Sequence, residues 1–212
     1  MNDLRGTISW LLLVLLGVVG AGGAVLGITE APKNVPLHEA VDNTLNAPNY
    51  SEVVTESTAQ GTQTDYLTYE APDKLGGYVE NGSKRTYVYV IGSVEYQSLT
   101  VSANASTKHL VFYRQTSQGA TTIDPVHNYL RYAKTATHVT TTAGGTSTFT
   151  LSQDGETGTF VYMVSGKYVS EFNLSVKAAS VHLVISQVGT SPPVALPAGA
   201  KVVKAPATGV SG

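Results

Sequence analysis

From Tyr50 onward the chain is a succession of short segments rich in Thr, Val, Tyr and Ser, separated by Gly, Asn or Asp. Almost nothing among them could serve as a helical crossover, and this constrains the fold more than any other feature. Parallel neighbours need a connection of a dozen or more residues, whereas tight turns join antiparallel neighbours directly. The expected strands are Ser51–Thr58, Thr62–Glu70, Tyr78–Glu80, Arg85–Gly92, Val94–Ser102, His109–Thr116, His138–Thr142, Ser147–Ser152, Gly158–Ser165, Tyr168–Lys177 and Ser180–Gln187. Turns are expected at Asn81-Gly82, Asp154-Gly155 and Gly166-Lys167, and the pairs Gly76-Gly77 and Gly144-Gly145 also read as turns.

Two stretches break the pattern with a helical period. Leu37, Val41 and Leu45 share one face of a short helix over 37–46. Val126, Tyr129, Leu130 and Ala133 recur at helical spacing within Pro125–Lys134, and Pro125 suits a first helical turn. The tail from Ser191 carries Pro192, Pro193, Pro197 and Pro206, and is expected to close the domain and then fray.

Tyr87-Val88-Tyr89-Val90-Ile91 and Phe160-Val161-Tyr162-Met163-Val164 are apolar at every position, which predicts strands sheltered on both faces. Two short helices cannot cover both faces of so long a sheet. The sheet could close into a barrel, pack as a two-layer sandwich, or curl around something apolar from outside the chain.

The first thirty residues stand apart. Gly6–Thr29 holds no charge, and at 1.5 Å per residue it would reach about 36 Å, enough to cross a hydrocarbon core of about 30 Å. Residues 1–29 therefore read as a transmembrane anchor, Arg5 favouring a cytoplasmic N-terminus, or as a cleaved signal segment ending near Gly20-Ala21-Gly22-Gly23-Ala24. Residues 30–36 follow as a linker, 37–203 as one domain, and 204–212 as a flexible tail. Either reading of the N-terminus places the body outside the cytoplasmic membrane. The expected location is the cell membrane, single-pass with an extracytoplasmic C-terminal domain, or the exterior after signal cleavage.

Composition closes off other functions. The chain has no Cys, which excludes a disulfide framework, a thiol nucleophile and Cys-bound metal. Thirteen basic and 15 acidic residues leave a net charge of -2, against the basic footprint of a nucleic-acid binder. The five histidines are scattered, and His38-Glu39 lacks the second histidine of a zinc-protease helix because Asp42 stands there. No nucleophile elbow, phosphate-binding loop or Ser-x-x-Lys pair occurs. No catalytic residue, metal ligand or cofactor is assigned, and the chain does not read as an enzyme.

The order of a helix, long strands, Tyr69-Glu-Ala-Pro-Asp-Lys-Leu75, then Arg85-Thr-Tyr-Val-Tyr-Val-Ile-Gly92 and Glu95-Tyr-Gln-Ser98 resembles the exported LolA-like half-barrel family, including its actinobacterial LppX/LprG-like lipoproteins. Pro125–Lys134 resembles that family's inserted helix, and Ile185–Pro197 its last strand and proline-bounded tail. The resemblance covers roughly Leu37 to Val203. The missing lipobox Cys departs from the lipoprotein pattern and rules out attachment by acylation.

The resemblance implies a mostly β fold: one strongly curved antiparallel sheet, a half-barrel, with helices on its concave side and an apolar cavity between them. It also implies a lipid or acyl-chain ligand, with binding or carriage in the bacterial cell envelope as the function. An extracytoplasmic protein-interaction or envelope-sensing domain with a filled core, meeting a protein partner, is the alternative. Period two puts Tyr87, Tyr89 and Ile91 on one face of their strand and Val88 and Val90 on the other. Large side chains with a polar tip suit a cavity meeting a lipid head group. That argument assigns Tyr87, Tyr89 and Ile91 to the concave face, with Val111, Tyr113, Phe160, Tyr162, Phe172 and Leu174 by size. Val126, Tyr129 and Leu130 are expected over this surface as its lid or plug.

Overall fold

A computed structural model describes residues 34–153 and 156–204. The expected transmembrane or signal segment, the Asp154-Gly155 turn and the flexible tail beyond Lys204 lie outside the described residues. Among the described residues no helix is long and apolar enough to cross a membrane.

The helices are α1 (Leu37–Leu45), the one-turn α2 (Ala120–Ile123) and α3 (Pro125–Thr135). The strands are β1 (Asn49–Thr58), β2 (Gly61–Glu70), β3 (Lys74–Asn81), β4 (Lys84–Ile91), β5 (Val94–Ser98), β6 (Val101–Ser102), β7 (Val111–Thr116), β8 (Thr140–Thr141), β9 (Thr146–Gln153), β10 (Glu156–Ser165), β11 (Tyr168–Val176), β12 (Ala179–Ser186) and β13 (Lys201–Lys204). They form one curved, unclosed sheet in the order β13-β7-β5-β4-β3-β2-β1-β12-β11-β10-β9-β8, with β6 beside β4. Hairpins build nearly all of it, as the lack of crossovers requires.

The pairing departs from antiparallel at one edge, where β13 runs parallel to β7. Its chain reaches that edge by crossing the sheet as a strap. The Ser191 amide donates to Asn49 Oδ1 at 2.9 Å and the Val194 amide to Glu70 Oε2 at 2.8 Å. Leu196 and Ala200 then pack beside Tyr87, Leu110 and Phe112. Pro192, Pro193 and Pro197, expected to close the domain, hold this strap extended, since each fixes φ and lacks a donor.

β3 begins four residues before its expected start, and Gly76-Gly77 lies within it rather than in a turn. A side chain at Gly76 would meet Tyr89 Cδ1 at 2.4 Å and Val194 Cγ1 at 2.9 Å, so glycine there lets the Tyr89 ring lie across the strand. The expected strand Val94–Ser102 breaks into β5 and β6 at Leu99-Thr100. There the Ser98 hydroxyl accepts the Tyr87 amide and donates to the Leu99 carbonyl.

The helices cover one face of the sheet, the inner face. Thr44 Oγ1 of α1 donates to the Ala40 carbonyl at 2.8 Å and accepts the Val169 amide at 3.0 Å, tying α1 to β11. Asp124 caps α3 by accepting the Val126 amide at 3.1 Å, with Pro125 in the first turn. Ala40, Val41, Val126, Leu130 and Ala133 are fully buried against Phe160, Phe172 and Leu183. Phe149 stacks on Phe160 with centroids 5.0 Å apart, and Tyr129 on Phe172 at the same distance. Lys134 and Asp42 add an exposed ion pair between the two helices at 2.6 Å, worth little in water.

The two strands expected to be sheltered on both faces differ on their outer sides. The outer face of β4 is covered by Leu110, Phe112, Tyr96 and the strap. On the outer side of β10, Met163 is 39% exposed.

Candidate functional site

The inner face divides into two unequal halves. From β9 to β12 it is filled: Phe149, Phe160, Tyr162, Phe172, Leu174, Val181, Leu183 and Ile185 are buried in one cluster with α1 and α3. From β2 to β5 only α2 and the start of α3 stand over the strands, and a cavity of about 260 Å³ remains. An enclosed apolar space of about 150 Å³ already suffices for benzene.

The cavity floor is the inner parity of four strands. Leu67 of β2, Leu75 and Val79 of β3, and Val88 of β4 supply its apolar surface, and Gln97 of β5 continues it. Ile123, Pro125, Asn128 and Tyr129 form the helical wall. Register explains the set: Leu75 pairs with Val90, Gly77 with Val88 and Val79 with Thr86, so those positions face one way. Tyr87 and Tyr89 face the other way, into the outer cluster with Phe112, whose ring meets Tyr89 edge-on at 5.7 Å.

The carboxyls at this site are unusual for a sheet interior. Glu52 and Glu56 lie on the same face of β1 as Tyr50 and Val54, opposite Leu67 and Gln63 of β2. Glu56 Oε1 accepts the Tyr129 hydroxyl at 3.2 Å, and Asp65 Oδ1 accepts Gln63 Nε2 at 3.0 Å. Burial pushes Asp65 up to about 7, helped by the neighbouring Glu56 charge. Burial also raises Glu56 against the opposing effect of the Tyr129 hydrogen bond. Glu52 is fully buried, neither of its carboxyl oxygens has a hydrogen-bond partner, and burial and then Asp124 raise it well above the usual carboxylate range.

Behind the cavity the Tyr50 hydroxyl, Asp124 Oδ2 and His127 Nδ1 are mutually hydrogen-bonded. Tyr69 stacks on Tyr50 at 5.0 Å and lies 4.8 Å from the His127 ring. Burial and then the Asp124 charge raise the Tyr50 hydroxyl far above its ordinary range, so it acts as a donor. The Asp124 side chain has no exposed surface, and the cluster pins the N-terminus of α3 to β1. Among the described residues no group of three or more His, Asp or Glu side chains is placed to hold a metal ion.

Of the twelve residues assigned to the ligand surface from sequence, Tyr129 alone lines this cavity. Phe160, Tyr162, Phe172, Leu174, Val126 and Leu130 lie on the inner side within the filled core. Val111 and Tyr113 belong to the inner parity of β7, since Tyr113 pairs with Gln97, but do not line the cavity. Tyr87, Tyr89 and Ile91 are corrected to the outer face. In a strand apolar at every position, size did not choose the parity; Phe112 and the strap on one side and an open space on the other did. The lining residues Leu67, Val88, Glu56 and Asp65 escaped the sequence reading. The signal that could have found them is the alternation of β1, where Tyr50 and Val54 share a parity with Glu52 and Glu56.

No protein-family model and no curated protein matches the chain. Among solved structures it is similar to LprF from Mycobacterium bovis, with a TM-score of 0.46 at 12% identity over 77% of this chain and 94% of that one. It is also similar to the lipoprotein LppX from Mycobacterium tuberculosis, with a TM-score of 0.46 at 13% identity over 76% of this chain and 96% of that one.

Proposed function

We propose that the protein binds a hydrophobic small molecule, a lipid or acyl-chain ligand, in the cavity between β2–β5 and the α2–α3 segment, and serves as a binding or carrier protein of the bacterial cell envelope. The observation that carries this reading is the cavity itself. A sheet whose other half is packed with aromatic rings leaves about 260 Å³ unfilled over Leu67, Leu75, Val79 and Val88. The hollow is open to solvent, so the apolar part of its floor meets water until a hydrophobic occupant covers it. Each methylene taken from water into it is worth about 0.8 kcal/mol before ordering costs. The uncharged Gly6–Thr29 segment supports export, as a retained anchor or as a cleaved signal segment.

Organic extraction of protein purified without detergent, followed by mass spectrometry, tests the reading. The wild type should carry a hydrophobic molecule in stoichiometric amount. Val88→Trp, which fills the cavity from its floor, should keep the circular dichroism spectrum and lose that molecule. Wild-type protein that is clean, and that also refuses added alkyl probes, would transfer the function to an envelope-sensing or protein-interaction domain. The packed β9–β12 half favours that second reading, since a domain with a filled core needs no ligand to fold.

A further inference from the structure

The cavity is apolar over most of its surface, yet its charged groups are of one sign. Glu56, Asp65 and Glu95 are among the described residues that line it, and no Lys, Arg or His is. Glu56 and Asp65 are diagonal neighbours on adjacent strands, because Glu56 pairs with Gln63 and Val54 with Asp65. That diagonal spacing lets the longer Glu56 side chain reach toward a group bound at Asp65. Glu52 lies buried on the same face of β1 but does not line the cavity.

We infer that the molecule taken into this cavity carries a protonated amine at its polar end, held by the Glu56 and Asp65 carboxylates while its hydrocarbon lies over Leu67, Leu75 and Val88. The inference rests on the cavity being a ligand site. Charge complementarity selects the occupant. A carboxylate or phosphate head would be placed against like charges in a poorly hydrated space. A neutral hydroxyl would donate one hydrogen bond and leave the charge of two desolvated carboxyls uncompensated. An ammonium group is compact, offers three donors, and makes charge-assisted hydrogen bonds with carboxylates.

The surroundings from each element agree. β1 contributes Glu56, β2 contributes Asp65 with Gln63 donating to it, and β5 contributes Glu95. From α3, Tyr129 donates to Glu56, while Asp124 is engaged with His127 and Tyr50. Lys84 of β4 is a basic group beside the site. It lines a neighbouring depression that shares Gln63, Val79 and Thr86 with the cavity. Lys84 is exposed, so water screens its charge and it does not neutralise the carboxyls. Asp65, raised to about 7 when the cavity is empty, gives up its proton when an ammonium arrives. Amine binding therefore releases protons near neutral pH and weakens as the pH falls below 7.

Three ten-carbon probes, decylamine, decanol and decanoate, separate the outcomes by titration calorimetry of the full chain at pH 8. Decylamine should bind at least tenfold more tightly than either other probe. Repeating the titration at pH 7 in buffers of different ionisation enthalpy should report proton release on amine binding. Asp65→Asn and Glu56→Gln should each lose most of the amine preference while binding decanol as the wild type does. If either variant fails to fold, the proton release and the probe ranking of the wild type still decide. Decanol or decanoate binding as tightly as decylamine would overturn the amine and leave the cavity reading standing. Decanoate binding that is lost in Lys84→Gln would also show that the anchor is cationic. If no probe binds folded protein, the cavity reading fails along with the inference.

Discussion

Asp65 sits on an inward parity of β2 with no basic partner among the described residues, and its chemistry makes a prediction opposite to ordinary acid denaturation. The group ordinarily titrates near 3.8 and is pushed up to about 7 in the folded protein. Between those values the folded state holds a proton that the unfolded chain has lost. The stability associated with this carboxyl is therefore complete below about pH 4 and is lost as pH rises through 7. Glu52 and Glu56, raised by the same burial, act in the same direction. The thermal midpoint of ligand-free protein is expected to rise between pH 8 and pH 5.5. Asp65 is half-buried, so its share is on the order of 1–3 kcal/mol. Differential scanning calorimetry of Asp65→Asn should give a flatter dependence. A wild-type midpoint that falls on acidification, with the same slope in the variant, would refute the assignment.

Among the elements, the N-terminus of α3 is fixed by one side chain. Asp124 caps its N-terminus, receives the Tyr50 hydroxyl and holds His127, all without solvent exposure. Asp124→Ala removes the cap, worth about 1–2 kcal/mol, and leaves a buried tyrosine hydroxyl with one partner fewer. A loss of about 2–4 kcal/mol in urea unfolding is expected, together with faster amide exchange across α2 and the first turn of α3. β3 carries a second such dependence in the contact of Gly76 with Tyr89. Gly76→Ala should cost about 1–3 kcal/mol because its methyl group collides with the Tyr89 ring. In the double variant with Tyr89→Ala the two losses should add to less than their sum, which a double-mutant cycle measures. Strict additivity would mean that the strand accommodates the methyl elsewhere.

The whole molecule is asymmetric in how it covers its sheet. Helices fill the inner face over β9–β12, whereas the strap from Ser191 to Ala200 covers the outer face over the other half and ends in the parallel β13–β7 pair. Truncation after Thr190 would uncover Tyr87, Tyr89 and Phe112 and remove β13. Hydrogen exchange should then show lost protection in β4, β5 and β7 with β10–β12 unchanged. Binding of a hydrophobic dye should also rise. Equal loss in both halves would mean that the sheet unfolds as one unit and the strap supports all of it.

How far the sequence reached varies with the kind of information each feature needs. The strand–turn alternation at Gly82 and Gly166, the four-residue spacing of Leu37, Val41 and Leu45, and Pro125 opening α3 are local signals, and they located most strands and the two main helices. Composition alone removed disulfides and thiol chemistry. The faces were not legible. A strand such as Tyr87–Ile91 is apolar at both parities, so period two offers two solutions of equal local quality, and only Phe112 and the strap, brought from far along the chain, chose between them. Glu56 and Asp65 look like solvent-facing residues because a carboxyl in a strand normally faces water. The helices docked over Tyr50 and Val54 make that parity the inner one, and the alternation of β1 is the only local trace of it. The halves of the sheet also differ for a reason no local pattern holds: α1 and α3 are long enough to fill one of them, and the space left over the other exists only once the helices are docked.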